Sequence, residues 1–157
     1  MPGFADRIRH AAPADEAQWR ALWDGYNVFY QAPKITPQVT AATWTRILDS
    51  QSPIGCLVAE KNGILLGFIH YVIHPRTWSD RDTCYMEDLY VTEAARGKGV
   101  ARGLCMALKA LCTEKNLSRV YWNTQEGNAT ARKLYDQIGR KDDFIRYVMP
   151  LPGHRTS

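Results

Sequence analysis

The stretch that most constrains this 157-residue chain runs from Cys84 to Leu111, where the hydrophobic period changes once across two close glycines. Cys84–Val91 is aromatic and apolar and reads as a strand. Val100, Leu104, Leu108 and Leu111 recur at helical spacing and read as the buried stripe of a helix. Arg96-Gly97-Lys98-Gly99 has to turn the chain between them. A further strand is predicted at Arg119–Thr124. A strand, a crossover helix and a second strand in one sheet pair in parallel, so an all-antiparallel architecture is excluded.

The rest of the chain adds elements around this unit. Arg7–Ala12 is a short strand stopped by Pro13. Trp19, Leu22, Trp23, Tyr26 and Tyr30 form one apolar stripe on a helix that opens at Asp15 and Glu16. Thr36-Pro37, a capping residue followed by proline at the first helical position, starts a second helix running to about Ser50. Ile54–Glu60 and Ile64–Ile73 flank Asn62-Gly63, a tight-hairpin dipeptide. Asn128–Ile138 forms a last helix ended by Gly139, and Phe144–Met149 a last strand. The expectation is α+β: a mixed, mostly antiparallel central sheet of about six to seven strands flanked by about four helices, in one domain over 1–157.

Composition narrows the functional classes. Twenty Lys+Arg against 16 Asp+Glu give a net charge of +4, which suits an anionic ligand but supplies no basic stripe for nucleic acid. No apolar run approaches the roughly 20 residues that cross a bilayer. Cys56, Cys84, Cys105 and Cys112 show no metal-binding spacing, so no metal is expected. Cys105 and Cys112 fall on the buried stripe of the helix after Gly99. With no signal-like start, the expected compartment is the cytoplasm.

The loop over 96–101 admits two readings on its own. Glycines at a strand-to-helix step can simply turn the chain, or can bring successive backbone N–H groups against an anion at a helix N-terminus. A Walker A loop would need glycine where Thr92 stands. A dinucleotide fingerprint would need one residue fewer between Gly99 and Gly103.

Arg96-Gly97-Lys98-Gly99-Val100-Ala101 contains Arg-x-x-Gly-x-Ala, which resembles the acyl-CoA pyrophosphate loop of the GCN5-related N-acetyltransferase superfamily. The resemblance covers roughly residues 7 to 149. Met86-Glu87-Asp88-Leu89-Tyr90-Val91 is similar to the fourth strand of the diamine (spermidine/spermine) N-acetyltransferases and of the fungal histone, polyamine and D-amino-acid acetyltransferases. Tyr121-Trp122-Asn123-Thr124, Asn128-Ala129-Thr130-Ala131 and Leu134-Tyr135 resemble the fifth strand and following helix of the same group.

That resemblance implies acetyl-CoA as co-substrate and direct transfer to the primary amine of a small molecule. Leu89, Tyr90 and Val91 would pair with the pantetheine arm. The amides from Gly97 through Lys98, Gly99, Val100 and Ala101 to Arg102, with Arg96 beside them, would hold the pyrophosphate. Asn128 and Ala131 would meet the CoA arm, although Asn128 also suits a helix cap. Tyr135, which periodicity alone places in a core, would protonate the departing thiolate. Glu87 would contact the amine and take its proton, with Tyr26 lining the same acceptor site. Strict strand alternation sends Glu87 and Asp88 to opposite faces, so only one of them reaches the site. His70 and His74 are candidates for assistance only. The rivals are an acyl-CoA-binding module without catalysis and an acetyltransferase of protein or histone-tail lysines. Neither nucleic acid nor membrane is an expected partner, and relatives of this kind are commonly dimers, which implies a homodimer.

Overall fold

The computed structural model describes residues 4–32 and 35–153. The chain divides into two compact units, Met1–Trp122 and Asn123–Ser157.

In the first unit, five strands lie in chain order across one sheet: β1 (Arg7–His10), β2 (Ile54–Lys61), β3 (Ile64–His74), β4 (Thr83–Val91) and β5 (Val120–Tyr121). The first four are antiparallel and β4–β5 is parallel, as the crossover required. Helices α1 (Glu16–Phe29), α2 (Pro37–Leu48) and α3 (Val100–Glu114) complete it. Thr36 caps α2 through its hydroxyl, which accepts from the Val39 amide at 3.2 Å. Asn62 and Gly63 both have positive φ, 50° and 76°, as a two-residue hairpin turn demands.

Sheet register assigns the two faces. Val58 pairs with Phe68, Cys56 with His70, and Phe68 with Tyr90. These residues face α1 and α2, where Trp19, Trp23, Trp44, Cys56, Val58 and Phe68 form one buried cluster with Tyr26 and Tyr90 packed on it. The alternate residues, among them Leu57, Ile69, Tyr71, Cys84 and Met86, face the other way. That face carries α3, and the Cys84 thiol shares a hydrogen bond with Cys112 of α3. All four cysteines are buried. Burial pushes the Cys105 thiol up to about 11 and raises Cys56 as well, so these two thiols behave as core groups rather than nucleophiles.

At the sheet edge Arg9 donates to both Asp15 carboxylate oxygens, at 2.6 and 2.9 Å, and to Glu60 at 3.0 Å. Asp15 is almost fully buried and also accepts from the Ala12 amide at 2.7 Å. This arrangement joins β1 and β2 to the start of α1.

The second unit contains α4 (Ala129–Ile138). Asn128 caps it, its carbonyl accepting from the Ala131 amide at 3.4 Å, and Gly139 ends it in an extended conformation.

Three expectations need correction. The sheet has five strands among the described residues, not six to seven. The strand expected at Arg119–Thr124 is paired only at Val120 and Tyr121, because β4 and β5 stay in register for two residues. Residues 144–149 form no strand: they have no ladder partner among the described residues, and Phe144, Ile145, Tyr147, Val148 and Met149 are exposed. Alternating apolar residues make a strand only where a neighbour completes the hydrogen bonds.

Candidate active site

The site begins where β4 ends. Residues 93–99 turn through a short 3-10 segment, and Gly97 and Gly99 adopt φ of 73° and 81°. A Cβ at either position would meet nothing within 4 Å. The glycines are therefore required by backbone conformation, and they leave open space over the loop. Gly99 is the N-cap of α3 and provides no side-chain cap. The first-turn amides of Val100 and Ala101 precede the first α3 hydrogen bond, Gly103 N–H to Gly99 C=O at 2.9 Å. Uncapped N–H groups with the positive end of the helix dipole are suited to an anion. This cradle offers an anion open space, backbone N–H groups and the positive end of a helix.

The cations beside the loop are anchored. Arg96 donates to the Val91 carbonyl at 3.0 Å and lies over the rings of Phe29 and Tyr90. Lys98 donates to the Ala94 carbonyl at 2.8 Å. Their charge raises the local potential while their side chains stabilise the turn, a role that composition alone did not distinguish from direct ligand contact.

β4 also has an open edge. It pairs with β3 along its length, but with β5 only at Cys84 and Tyr85. From Met86 to Val91 no strand adjoins the far edge among the described residues. An extended chain with its own amide groups, such as a pantetheine arm, can add there as a strand would. Leu89, Tyr90 and Val91 line that edge immediately before the loop.

The Glu87–Asp88 pair departs from simple alternation. Tyr71 pairs with Met86, His70 with Asp88 and Ile69 with Leu89, so two β4 residues stand opposite one β3 residue. This is a β-bulge with Glu87 as the extra residue. Met86 and Leu89 both point toward α3, and the two residues between them share the opposite face. The expectation that only one of the pair reaches the α1 side is corrected: the bulge brings both there.

The two carboxylates then differ in surroundings. Glu87 is exposed by area, yet partial burial of its carboxyl and the charge of Asp88 push its pKa above the ordinary carboxylate value. Asp88 is held: its Oδ2 lies 3.0 Å from His70 Nδ1. His70 is buried, and its Nε2 lies 2.9 Å from Trp19 Nε1. An indole N–H can only donate, so Nε2 is the acceptor and the imidazole proton sits on Nδ1, directed at Asp88. Burial, followed by the charge and hydrogen bonding of Asp88, keeps the Tyr26 hydroxyl protonated far above its usual range. Tyr26 in turn stacks on Trp23 with centroids 5.3 Å apart and meets Tyr90 edge-on at 6.3 Å. Close approach of α1 at Gly25 leaves room for the Tyr90 ring, since a Cβ there would fall 2.6 Å from its hydroxyl.

The first unit thus brings together Glu87, Tyr26, the β4 edge at 89–91 and the glycine loop at 96–102. Asn128, Ala131 and Tyr135 lie in the second unit on α4, where Tyr135 is half-buried. The Ala131 amide is occupied by the Asn128 cap, and Asn128 Nδ2 reaches Thr124 Oγ1 at 3.5 Å. No group of three or more potential metal ligands occurs among the described residues, and no helix among them is long and apolar enough to cross a membrane.

Sequence reasoning missed Asp88, His70 and Trp19 as a connected set. The bulge has no glycine to announce it. A polar residue at position 70 in the apolar run Phe68-Ile69-His70-Tyr71-Val72 was the one available signal.

A strand with an open edge, running into a glycine loop at a helix N-terminus, is the arrangement that the resemblance to the N-acetyltransferases led us to expect. Comparison with known proteins agrees: residues 19–139 match the acetyltransferase (GNAT) family, and the chain belongs to it. It is 35% identical over 142 residues to the D-amino-acid N-acetyltransferase HPA3 of Saccharomyces cerevisiae, covering 89% of this chain and 88% of that protein. It is 27% identical over 95 residues to the thialysine N-epsilon-acetyltransferase of Bos taurus, covering 55% of each. Among solved structures, a probable acetyltransferase superposes with a TM-score of 0.83 at 25% identity, covering 94% of this chain and 99% of that one. An aminoglycoside N-acetyltransferase in complex with CoA shares the fold, with a TM-score of 0.78 at 19% identity and 93% and 94% coverage.

Proposed function

We propose that the protein transfers an acetyl group from acetyl-CoA to the primary amine of a small molecule, by direct attack and without an acyl-enzyme. The observation that carries this reading is the single stretch of β4 and loop that sets two carboxylates, an open strand edge and an anion cradle in succession. The HPA3 and thialysine relatives support a small amine as acceptor, with a D-amino acid or a lysine-like amine as the first candidates.

The chemistry sets clear tasks for the residues. When bound, acetyl-CoA supplies an electrophilic thioester carbon and a thiolate leaving group. An aliphatic amine with pKa near 10 is almost wholly protonated at pH 7, and reaching the free base costs about 4 kcal/mol, roughly three pKa units. Glu87 takes that proton, directly or through water, and a pKa raised by burial and by the Asp88 charge suits it to the task. The amine nitrogen forms the new C–N bond, the C–S bond breaks, and the Tyr135 hydroxyl gives its proton to the sulfur. The Gly97–Arg102 backbone holds the pyrophosphate, Leu89–Val91 grip the pantetheine, and Asn128 and Ala131 adjoin the CoA arm.

A thiol-release assay with acetyl-CoA and a panel of D- and L-amino acids, thialysine, polyamines and histone-tail peptides tests the reading. CoA release with a small amine supports it. Release only with the peptides would instead indicate a protein lysine acetyltransferase, and no release with any amine would indicate a non-catalytic acyl-CoA-binding module.

A further inference from the structure

The connected set on the α1 face has more structure than a lone base requires. We propose that Asp88 is a second acceptor-facing carboxylate, an anchor for the incoming ammonium, and that His70 and Trp19 are positioning residues that hold it in place. The proposal rests on the amine-acetylating reading above and deepens it.

Placing Glu87 and Asp88 on one face sets two like charges side by side. Two adjacent carboxylates without a partner are unfavourable, and the structure lowers the cost for one of them only. Asp88 is engaged by the His70 Nδ1–H at 3.0 Å and lies against the Tyr26 hydroxyl, while Glu87 has no such partner among the described residues. Asp88 is thus the carboxylate held in place by a donor, and Glu87, whose pKa is raised by burial and by Asp88, is the one suited to take a proton. A cation entering beside Glu87 meets both roles: one group to attract and orient the ammonium, the other to accept its proton.

The chain behind Asp88 is directional. Trp19 Nε1–H points at His70 Nε2, which therefore accepts, and the tautomer this sets turns the Nδ1–H toward Asp88. Trp19 is itself fully buried and packed on Trp44 at 4.8 Å and Trp23 at 6.1 Å. A rigid aromatic support therefore fixes the imidazole, and the imidazole fixes one carboxylate oxygen. The Asp88 side chain still keeps 14% of its surface open, against 5% for His70. A carboxylate needed solely to satisfy a buried histidine could be covered entirely; this one is held by a donor and still keeps part of its surface exposed.

The test reads binding, so that it does not depend on turnover. Protein saturated with CoA is titrated by calorimetry with two matched pairs: D-phenylalanine against D-3-phenyllactate, and thialysine against S-(2-hydroxyethyl)-cysteine. Each pair differs in carrying an ammonium or a hydroxyl at one position. The wild type is expected to prefer the ammonium member of at least one pair by about tenfold or more, the range of a hydrogen bond to a charged group. Asp88→Asn keeps the shape and removes the charge, and is expected to reduce that preference below about threefold with CoA affinity unchanged. Trp19→Phe and His70→Gln are expected to reduce it partially. A merely structural role would lower thermal stability in these variants and leave the ratio unchanged. Folded Asp88→Asn that keeps the wild-type ratio, in protein that binds and acetylates an amine, overturns the anchor alone. Wild-type protein that binds neither ammonium probe overturns the anchor; the reading on which it rests falls only if thiol release is also absent with every amine of the panel.

Discussion

Glu87 and Asp88, consecutive residues of β4, stand on the same face of the sheet because a β-bulge inserts Glu87 opposite His70. Asp88 is fixed by His70, while Glu87 has its pKa raised by partial burial and by the Asp88 charge. Adjacent carboxylates thereby stand in different surroundings, and the proposed pH dependence of turnover rests on that difference.

Glu87→Gln removes the proposed proton acceptor. A carboxyl with a raised pKa is active only above that pKa, so wild-type activity is lost as pH falls through it. In the variant the amine must lose its proton to solvent, and the rising limb of the kcat/KM profile is expected to move up by about one pH unit or more. An unchanged profile removes Glu87 from the proton transfer.

Tyr135→Phe deletes the proposed acid while keeping the ring. Loss of general acid catalysis is expected to lower kcat by about 10²-fold or more, with acetyl-CoA affinity within about threefold of the wild type. Single-turnover kinetics and calorimetry separate the two effects, and equal turnover by the variant assigns the thiolate proton elsewhere.

Gly99→Ala introduces a Cβ at φ 81°, which costs about 1–2 kcal/mol of backbone strain. The new atom meets no protein atom within 4 Å. A drop in acetyl-CoA affinity larger than the stability loss therefore reports a ligand in the cradle. Affinity is expected to fall about tenfold or more, and unaltered binding places the pyrophosphate away from this loop.

How far the site could be read before folding depends on the type of signal. The loop was legible because glycine at positive φ and a helix stripe leave a local pattern at Gly97, Gly99 and Val100. The α1 stripe and the Asn62-Gly63 hairpin were legible for the same reason. The bulge was not, because it depends on how β4 registers against β3, and no residue in Met86–Leu89 encodes that register locally. The strand at residues 144–149 was over-read because alternation describes a side-chain pattern, while pairing requires a partner. The division between Asp88 and Glu87 likewise came from His70, 18 positions away in sequence.

Fold stability has its own pH dependence at the other end of the sheet. Hydrogen bonding from Arg9, and then from the Ala12 amide, holds the Asp15 pKa below its ordinary value despite burial. A depressed folded-state pKa contributes stability that is fully present above the unfolded value near 4 and is lost as pH falls through the folded value. Asp15→Asn is expected to cost about 2 kcal/mol at pH 7 by urea unfolding, and the gap to the wild type should narrow below about pH 4. A gap independent of pH would separate Asp15 from the acid sensitivity of the fold.

In the proposed reading the β4 edge and the Gly97–Arg102 cradle together form an acetyl-CoA site. Calorimetric titration of the folded wild-type protein with acetyl-CoA tests it most directly. Saturable binding at one site per chain, weakened in Gly99→Ala, is the predicted result. Folded protein that gives no binding heat, and no acetyl-CoA protection against thermal unfolding, contradicts it.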